Sequence, residues 1–472
     1  MERCTLPRIV GPTPATEAIN WIYASYNRAK PNLKPGYDRD VRHPEWTERL
    51  LGALGRPDRH GYNVAVTGSK GKGSHAILLA GILQQLGLRV GLFTGPHLVD
   101  FMERIRVDGE MMPEPRFASC VRQIADIAAR FELPDGQYLG PVGLLAAVAA
   151  LWFREEDTDV NVYELGRGAL HDDVNRVHHE GAVVAPVFLE HREQLGPRLS
   201  DVAWEKAGVI TPETRWVVSH RQSDVPLSIL RQQAVRQGAD LQVLGEQVDC
   251  RATDGDKLVI VEVSGSRFEI RLPEPGGGFL VENAAVAMAA ARAVWTRLRP
   301  GRPMPERIDL SGLRLPGRLE VVRPNPWVVV DGTIHGASAR YVAAWSEARR
   351  ARGGRIGAVL GLPADKDGEG VLAALHGTVD WLVFARAHNP HLYFDGRWAE
   401  MARTRWSDVH EAEYAEDALA WAEPRMGPRD VLLVLGTQSF VGDALAALGV
   451  DTTRIWRNEA PLPEVAARRG RA

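Results

Sequence analysis

Ile19, Ile22 and Tyr26 recur at helical intervals and mark residues 16–30 as an amphipathic helix, and a Pro-, Gly- and Asp-rich loop separates it from a second helical stretch around Trp46 to Leu54. The pattern then changes. Tyr62 to Thr67 reads as a strand, a Gly-rich turn follows, Ser74 to Leu86 reads as a helix, and Arg89 to Thr94 is a second β-rich run. A strand, helix and strand in that order imply parallel strands in an α/β sheet. The alternation continues through Val142 to Phe153 (a buried helix), Val160 to Glu164 and Ala182 to Phe188 (strands) and Ser200 to Gly208 (a helix). Around Lys257 to Leu272 the period becomes two, and KLVIVEV and RFEIRL flanking Ser-Gly-Ser predict a hairpin, a small β appendage. The glycines at 276–278 lead into the Ala-rich helix Glu282 to Leu298.

Residues 299–305 are rich in Pro, Gly and Arg, and a fresh alternation follows them: Trp327 to Val330, Tyr341 to Arg350, Ile356 to Leu360, Trp381 to Phe384 and Val431 to Leu435. Two α/β domains are therefore expected, residues 1–300 with the appendage and residues 301–472.

A chain of 472 residues with 45% hydrophobic and 25% charged residues buries a substantial core, which excludes wholesale disorder. Fifty-seven Lys and Arg against sixty Asp and Glu leave a net charge of -3, so nothing global favours nucleic acid or an anionic membrane surface. The longest apolar stretch, Val142 to Phe153, is too short to span a bilayer. Cys4, Cys120 and Cys250 form neither CxxC nor Cys/His ligand spacing, which suits a reducing cytoplasm. Only seven of the basic residues are lysine, and four of these, Lys70, Lys72, Lys206 and Lys366, fall inside the motifs below.

The most specific of these is VAVTGSKGKGS, Val64 to Ser74, at the junction of the first strand and its helix. Gly68, Gly71 and Gly73 let the backbone, with Ser69 and Lys70 between them, close around an anion, and the helix N-terminus adds positive partial charge. Lys72 is placed to reach the outer phosphates of a nucleotide and Ser74 to hold Mg²⁺. The usual G-x-x-x-x-G-K-[ST] spacing is altered, with Val66 at the first glycine and Gly73 between lysine and hydroxyl.

This loop, together with TGPHLVDFMERIRVDG (Thr94 to Gly109), resembles the folylpolyglutamate synthase/dihydrofolate synthase family of the Mur ligase superfamily. YELGRGALHDDVN, LEHREQLG and AWEKAGVI follow in the family's order, as do LPGRLEVV, VVDG, GLPADKDGEG and LGTQSFVGDAL, so the likeness runs from about Trp21 to Ala444. It implies an N-terminal P-loop parallel-sheet ATPase domain and a C-terminal Rossmann-like α/β domain with ATP between them. It also implies ATP-dependent ligation of an amino acid, glutamate by default, onto a carboxylate, folate by default, through an acyl phosphate. Positioning and charge neutralisation dominate such a transfer.

On this resemblance Lys72, His191 and Lys206 are the catalytic candidates, and Ser74, Glu164 and His191 are the ligands of Mg²⁺, with Mn²⁺ open because a histidine suits it better. Lys206 matches a lysine that often carries a carbamate, which needs a depressed pKa; read alone, it is a helix-surface lysine able to pair with Glu205 or Asp201. Asn283, Arg318 and Asp331 match positions near the adenine, phosphates and ribose of ATP, and singly read as a helix cap, a surface ion pair and a turn residue. His335 joins them one place away from the family's histidine. The partners implied are a small carboxylate and an amino acid, with no nucleic acid or membrane and a monomeric chain.

The sequence departs from the family at four places. Gly95 stands where a serine ligand is usual, with Thr94 beside it; His388-Asn389-Pro390 lies too late in the chain to be the displaced histidine motif; and Gly143 and Phe279-Leu280 replace a glutamate and a His-Gln pair. The alternatives are a Mur-like ligase with another acceptor, a nucleotide-binding scaffold without turnover, and a plain P-loop phosphotransferase or ATPase, which leaves the Lys206 segment unexplained.

Overall fold

The computed structural model describes residues 9–457 apart from 10, 12, 34, 256 and 275; Cys4 and the start of the chain lie outside them. Eight strands, β1 (Tyr62–Thr67), β2 (Val90–Phe93), β3 (Ile105–Val107), β4 (Glu110–Met111), β5 (Val160–Glu164), β6 (Gly181–Val184), β7 (Trp216–Ser219) and β8 (Asp240–Val243), form one sheet in the order β4-β3-β2-β5-β1-β6-β7-β8. From β2 to β8 neighbours are parallel, as the alternation required; only β3 and β4 turn back at the edge. All six residues of β1 are buried, because helices cover both faces; its buried Asn63 is satisfied by donating Nδ2–H to Asp58 O. One face packs on helices Ala15–Ala29, Glu45–Ala53 and Pro141–Glu155, the other on helices Lys72–Gln85 and Phe279–Leu298.

The appendage is larger than the expected hairpin. β10 (Leu258–Val263) and β11 (Ser266–Arg271) form it, and β9 (Val248–Thr253) and β12 (Arg307–Asp309) extend it to four strands ordered β12-β11-β10-β9. Because β12 pairs with β11 and Leu310, Leu313 and Leu315 are buried in the first unit's core, the chain leaves that unit later than residue 300.

The second unit has six strands, β13 (Glu320–Pro324), β14 (Trp327–Asp331), β15 (Ile356–Gly361), β16 (Trp381–Arg386), β17 (Val409–Tyr414) and β18 (Val431–Gly436), ordered β13-β14-β18-β15-β16-β17. All but β13 run parallel, with apolar clusters on both faces.

The described chain then returns to the first unit. Met111 N–H donates to Thr453 O (2.9 Å), Ile455 N–H to Gly109 O (3.1 Å) and Arg314 N–H to Ile455 O (2.7 Å), so residues 453–455 lie along the edge strand and the crossover segment. Trp456 is buried in the first core, its Nε1–H donating to Gln84 Oε1 at 2.7 Å. Trp456→Ala is expected to cost about 3–5 kcal/mol, the usual penalty for an emptied aromatic site, read as a lower midpoint in urea unfolding. Among the described residues no helix is long and apolar enough to cross a membrane, and Cys120 and Cys250 are free.

Candidate active site

β1 ends between β5 and β6, so the loop it delivers opens at the carboxyl edge of the parallel sheet. Gly68 has φ 138° and an added Cβ would lie 2.6 Å from Ala185 Cβ, so only glycine fits there. Ser69 pins the loop to residues after β6: its N–H donates to Pro186 O (2.8 Å), its hydroxyl to Phe188 O (3.0 Å), and Phe188 N–H donates back to that hydroxyl (3.1 Å). This corrects the expected strand Ala182 to Phe188. Pairing stops at Val184 because the next residues turn to bracket the loop. Lys72 heads the helix Lys72–Gln85, and its Nζ donates to Gly68 O at 3.1 Å.

Glu164 ends β5 opposite Val66. Its Oε2 accepts from Gly95 N–H at 3.2 Å, and a Cβ on Gly73 would stand 3.2 Å from the same oxygen. Burial pushes this carboxyl up, while the charges of Lys72 and Arg318 and the backbone N–H groups of Gly95 and Gly73 act against it. Glu164, buried Ser74, Gly73, Thr94, Gly95 and Arg318 line one cavity of about 70 Å³ between the two units.

Lys206, in the helix Leu199–Ala207, is wholly buried. Its Nζ donates to Gly68 O and Arg167 O, each at 2.8 Å, and forms an ion pair with Glu190 Oε1 at 2.8 Å. The pairings read from sequence do not form: Asp201 bonds Arg198 at 2.9 Å, and Glu205 bonds His171 at 2.8 Å. Burial lowers the Lys206 amine to about 8, with Glu190 opposing. His191 is exposed in a left-handed conformation (φ 46°), its Nε2 3.9 Å from Glu190 Oε2. Burial lowers its pKa against the pull of Glu190, and Arg167, Lys206 and Lys72 add to the lowering. Glu164 and His191 thus both feel Lys72, although among the described residues no three His, Cys, Asp or Glu converge on one point.

The second unit faces the loop. Asp331, the last residue of β14, accepts from Leu319 N–H (2.7 Å) and the Thr333 hydroxyl, and the charges of Arg318 and Lys70 counter the upward push of burial. His335 is exposed and feels Lys70 as well. Asn283 is buried beside the loop: a Cβ on Gly71 would be 3.9 Å from its Nδ2. His388, by contrast, is exposed, stacked on Tyr414 at 4.1 Å and bonded to Glu416 at 2.8 Å, and is not among the residues lining this cavity.

Some neighbours were not legible. Asp38 receives the guanidinium of Arg167 across 129 residues of sequence, steadying the segment whose carbonyl holds Lys206, and His97, bonded to Arg104, lines the cavity. Single polar residues in helices and turns carry no periodic signal.

Residues 317–438 match the family described as Mur ligase, glutamate ligase domain. A dihydrofolate synthase/folylpolyglutamate synthase of Escherichia coli (strain K12) is 32% identical over 376 residues, covering 78% of this chain and 82% of the relative. The structure of an E. coli relative in complex with DHPP and ADP has a TM-score of 0.76 at 26% identity, covering 94% of this chain and 99% of that one. Mycobacterium tuberculosis folylpolyglutamate synthase, solved with ADP and AMPPCP, gives 0.71 at 25%, covering 87% and 97%.

Proposed function

Because the chain belongs to the dihydrofolate synthase/folylpolyglutamate synthase family, we propose that it joins glutamate to the carboxylate of a folate-type acceptor. It is an ATP-dependent ligase forming a carbon–nitrogen bond. The observation that carries the reading is the cavity in which Gly73, Ser74 and Glu164 of one unit meet Arg318 of the other.

In this reading the loop Gly68 to Gly73 and the following helix N-terminus hold the phosphates of ATP, as oriented N–H groups do for anions. Lys72 leaves Gly68 O for the outer phosphates and Lys70 adds a second cation. Arg318 supplies charge from the opposite wall during transfer of the γ-phosphoryl group to the carboxylate. Asn283 lies toward the base, and Asp331 and His335 toward the ribose. The amine then attacks the acyl phosphate and inorganic phosphate leaves.

The donor set suits a hard cation: Ser74 and Glu164 offer oxygens at the phosphate loop, and Mg²⁺ usually takes only one or two protein ligands beside phosphates and water. His191 is the further candidate ligand, and would favour Mn²⁺. When bound, the metal neutralises phosphate charge. Lys206, with a pKa near 8, keeps enough neutral amine near physiological pH for carboxylation by carbon dioxide.

One departure from the family has a local packing cause. At Gly143, where the family has glutamate, a Cβ would fall 2.1 Å from Thr47 Oγ1, whose hydroxyl donates to Asp173 at 2.8 Å. A larger side chain there would have to displace the Thr47 and Asp173 side chains, so this place is kept small by that pair. Incubation with Mg²⁺, ATP, glutamate and a reduced folate monoglutamate is expected to release ADP in step with a gain of glutamyl mass. ATP binding without that gain would move the assignment to another carboxylate.

A further inference from the structure

His97 lines the same cavity as Ser74, Glu164 and Arg318, and no role above uses it. Arg104 Nε lies 3.0 Å from His97 Nδ1. A guanidinium can only donate, so Nδ1 must offer its lone pair and the ring proton must sit on Nε2. The arrangement is held from several sides. Arg104 lies over the Phe101 ring at 5.0 Å, the His97 ring meets Phe101 at 5.2 Å, and Thr94 N–H donates to Arg104 O at 2.9 Å. Glu103 accepts from the backbone N–H groups of Leu98 (3.0 Å), Val99 (3.1 Å) and Asp100 (2.9 Å), which fixes the loop carrying the histidine.

Protonating Nδ1 would break the bond to Arg104 and set two cations together. Burial and Arg104 accordingly lower the pKa of His97, while Glu103 and Asp100 oppose them more weakly. The ring is therefore neutral near pH 7, and its Nε2 has no acceptor among the described residues. A nitrogen that already bears its proton neither ligates a metal nor takes a proton from an amine. It can donate.

We propose that His97 Nε2–H donates a hydrogen bond to the acceptor's carboxyl oxygen on which negative charge builds when the amine attacks, with Arg104 as the positioning residue that fixes the donor tautomer. The proposal rests on the ligation reading above. The proton stays on Nε2 throughout, so no bond at His97 is made or broken.

Three variants test it: His97→Leu removes the donor, His97→Gln returns an amide N–H near the place of Nε2, and Arg104→Leu removes the lock. Loss of one such donor is worth about 10²–10³ in kcat, so His97→Leu should fall by that factor with KM for ATP within about twofold, and His97→Gln should stay within about tenfold of the parent. Histidine ¹⁵N spectra of the wild-type protein at about pH 8 should show the Nε2–H tautomer for His97, and a mixture in Arg104→Leu. A wild-type rate in His97→Leu, or an Nδ1–H signal for His97 in the parent, overturns the proposal. Failure of the ligation reading looks different: the wild-type protein itself would bind ATP and form no amide, while the tautomer spectrum still decides whether His97 is the fixed donor.

Discussion

Lys72→Ala should lose ligation by about 10³-fold or more, the scale set by removing a charge that stabilises a transferred phosphoryl group, while the fold survives. In the structure Lys72 Nζ makes one hydrogen bond, to Gly68 O at 3.1 Å, so its removal costs folding only about 1 kcal/mol. The loop does not depend on it: Ser69 is tied to Pro186 and Phe188, and Gly68 O also accepts from Lys206. A second effect adds to the loss of phosphate charge. Lys72 is the largest influence holding the Glu164 carboxyl down against burial, so without it Glu164 keeps its proton to higher pH and offers a poorer oxygen ligand. Residual activity in the variant should therefore recover partly as pH rises. ADP release followed beside thermal unfolding checks both halves, and wild-type turnover in a folded Lys72→Ala protein would remove the phosphate-loop assignment.

What the sequence revealed and what it hid follow one physical rule. β15 and β18 are buried on both faces and read as short apolar runs, β1 and β5 as mainly apolar ones, and the Gly-rich loop announces itself because its backbone needs residues without a Cβ. The same rule explains the overrun at Ala182 to Phe188: Ala185 and Val187 are apolar and buried like strand residues, yet they leave the sheet to bracket Ser69. Features resting on long-range pairing had no local mark. The return of residues 453–455 to the first unit depends on backbone bonds to Gly109, Met111 and Arg314, and β17 alternates only half-buried and exposed positions, with no buried residue to mark it. At the site, Lys206 was recognisable by its motif but not by its surroundings, since Glu190, Gly68 and Arg167 come from three separate segments. The likeness named the candidates; the fold shows what surrounds Lys72, Glu164 and Lys206.

Lys206→Met should weaken the protein and its ligation together. Glu190 is only 17% exposed and its partner Lys206 wholly buried, and breaking such a pair from one side typically costs about 3 kcal/mol, visible as a lower urea midpoint. The sign of the pH dependence follows from the lysine. Its pKa in the folded protein is about 8, below the ordinary 10.5, so between those values the unfolded chain binds more protons and this residue's contribution to stability rises with pH. Below about 8 both states are protonated and the contribution is flat; the methionine variant lacks the slope altogether. Ligation should fall at least about 100-fold, because Gly68 O loses the anchor that fixes the loop and displacements of about 1 Å carry penalties of that size. Two rescue experiments on Lys206→Ala distinguish the ammonium clamp from the carboxylated form we propose. The ammonium clamp is restored by a small amine such as methylamine and reads out as nucleotide affinity. If the lysine works in the carboxylated form, acetate replaces its anion and turnover at saturating ATP recovers.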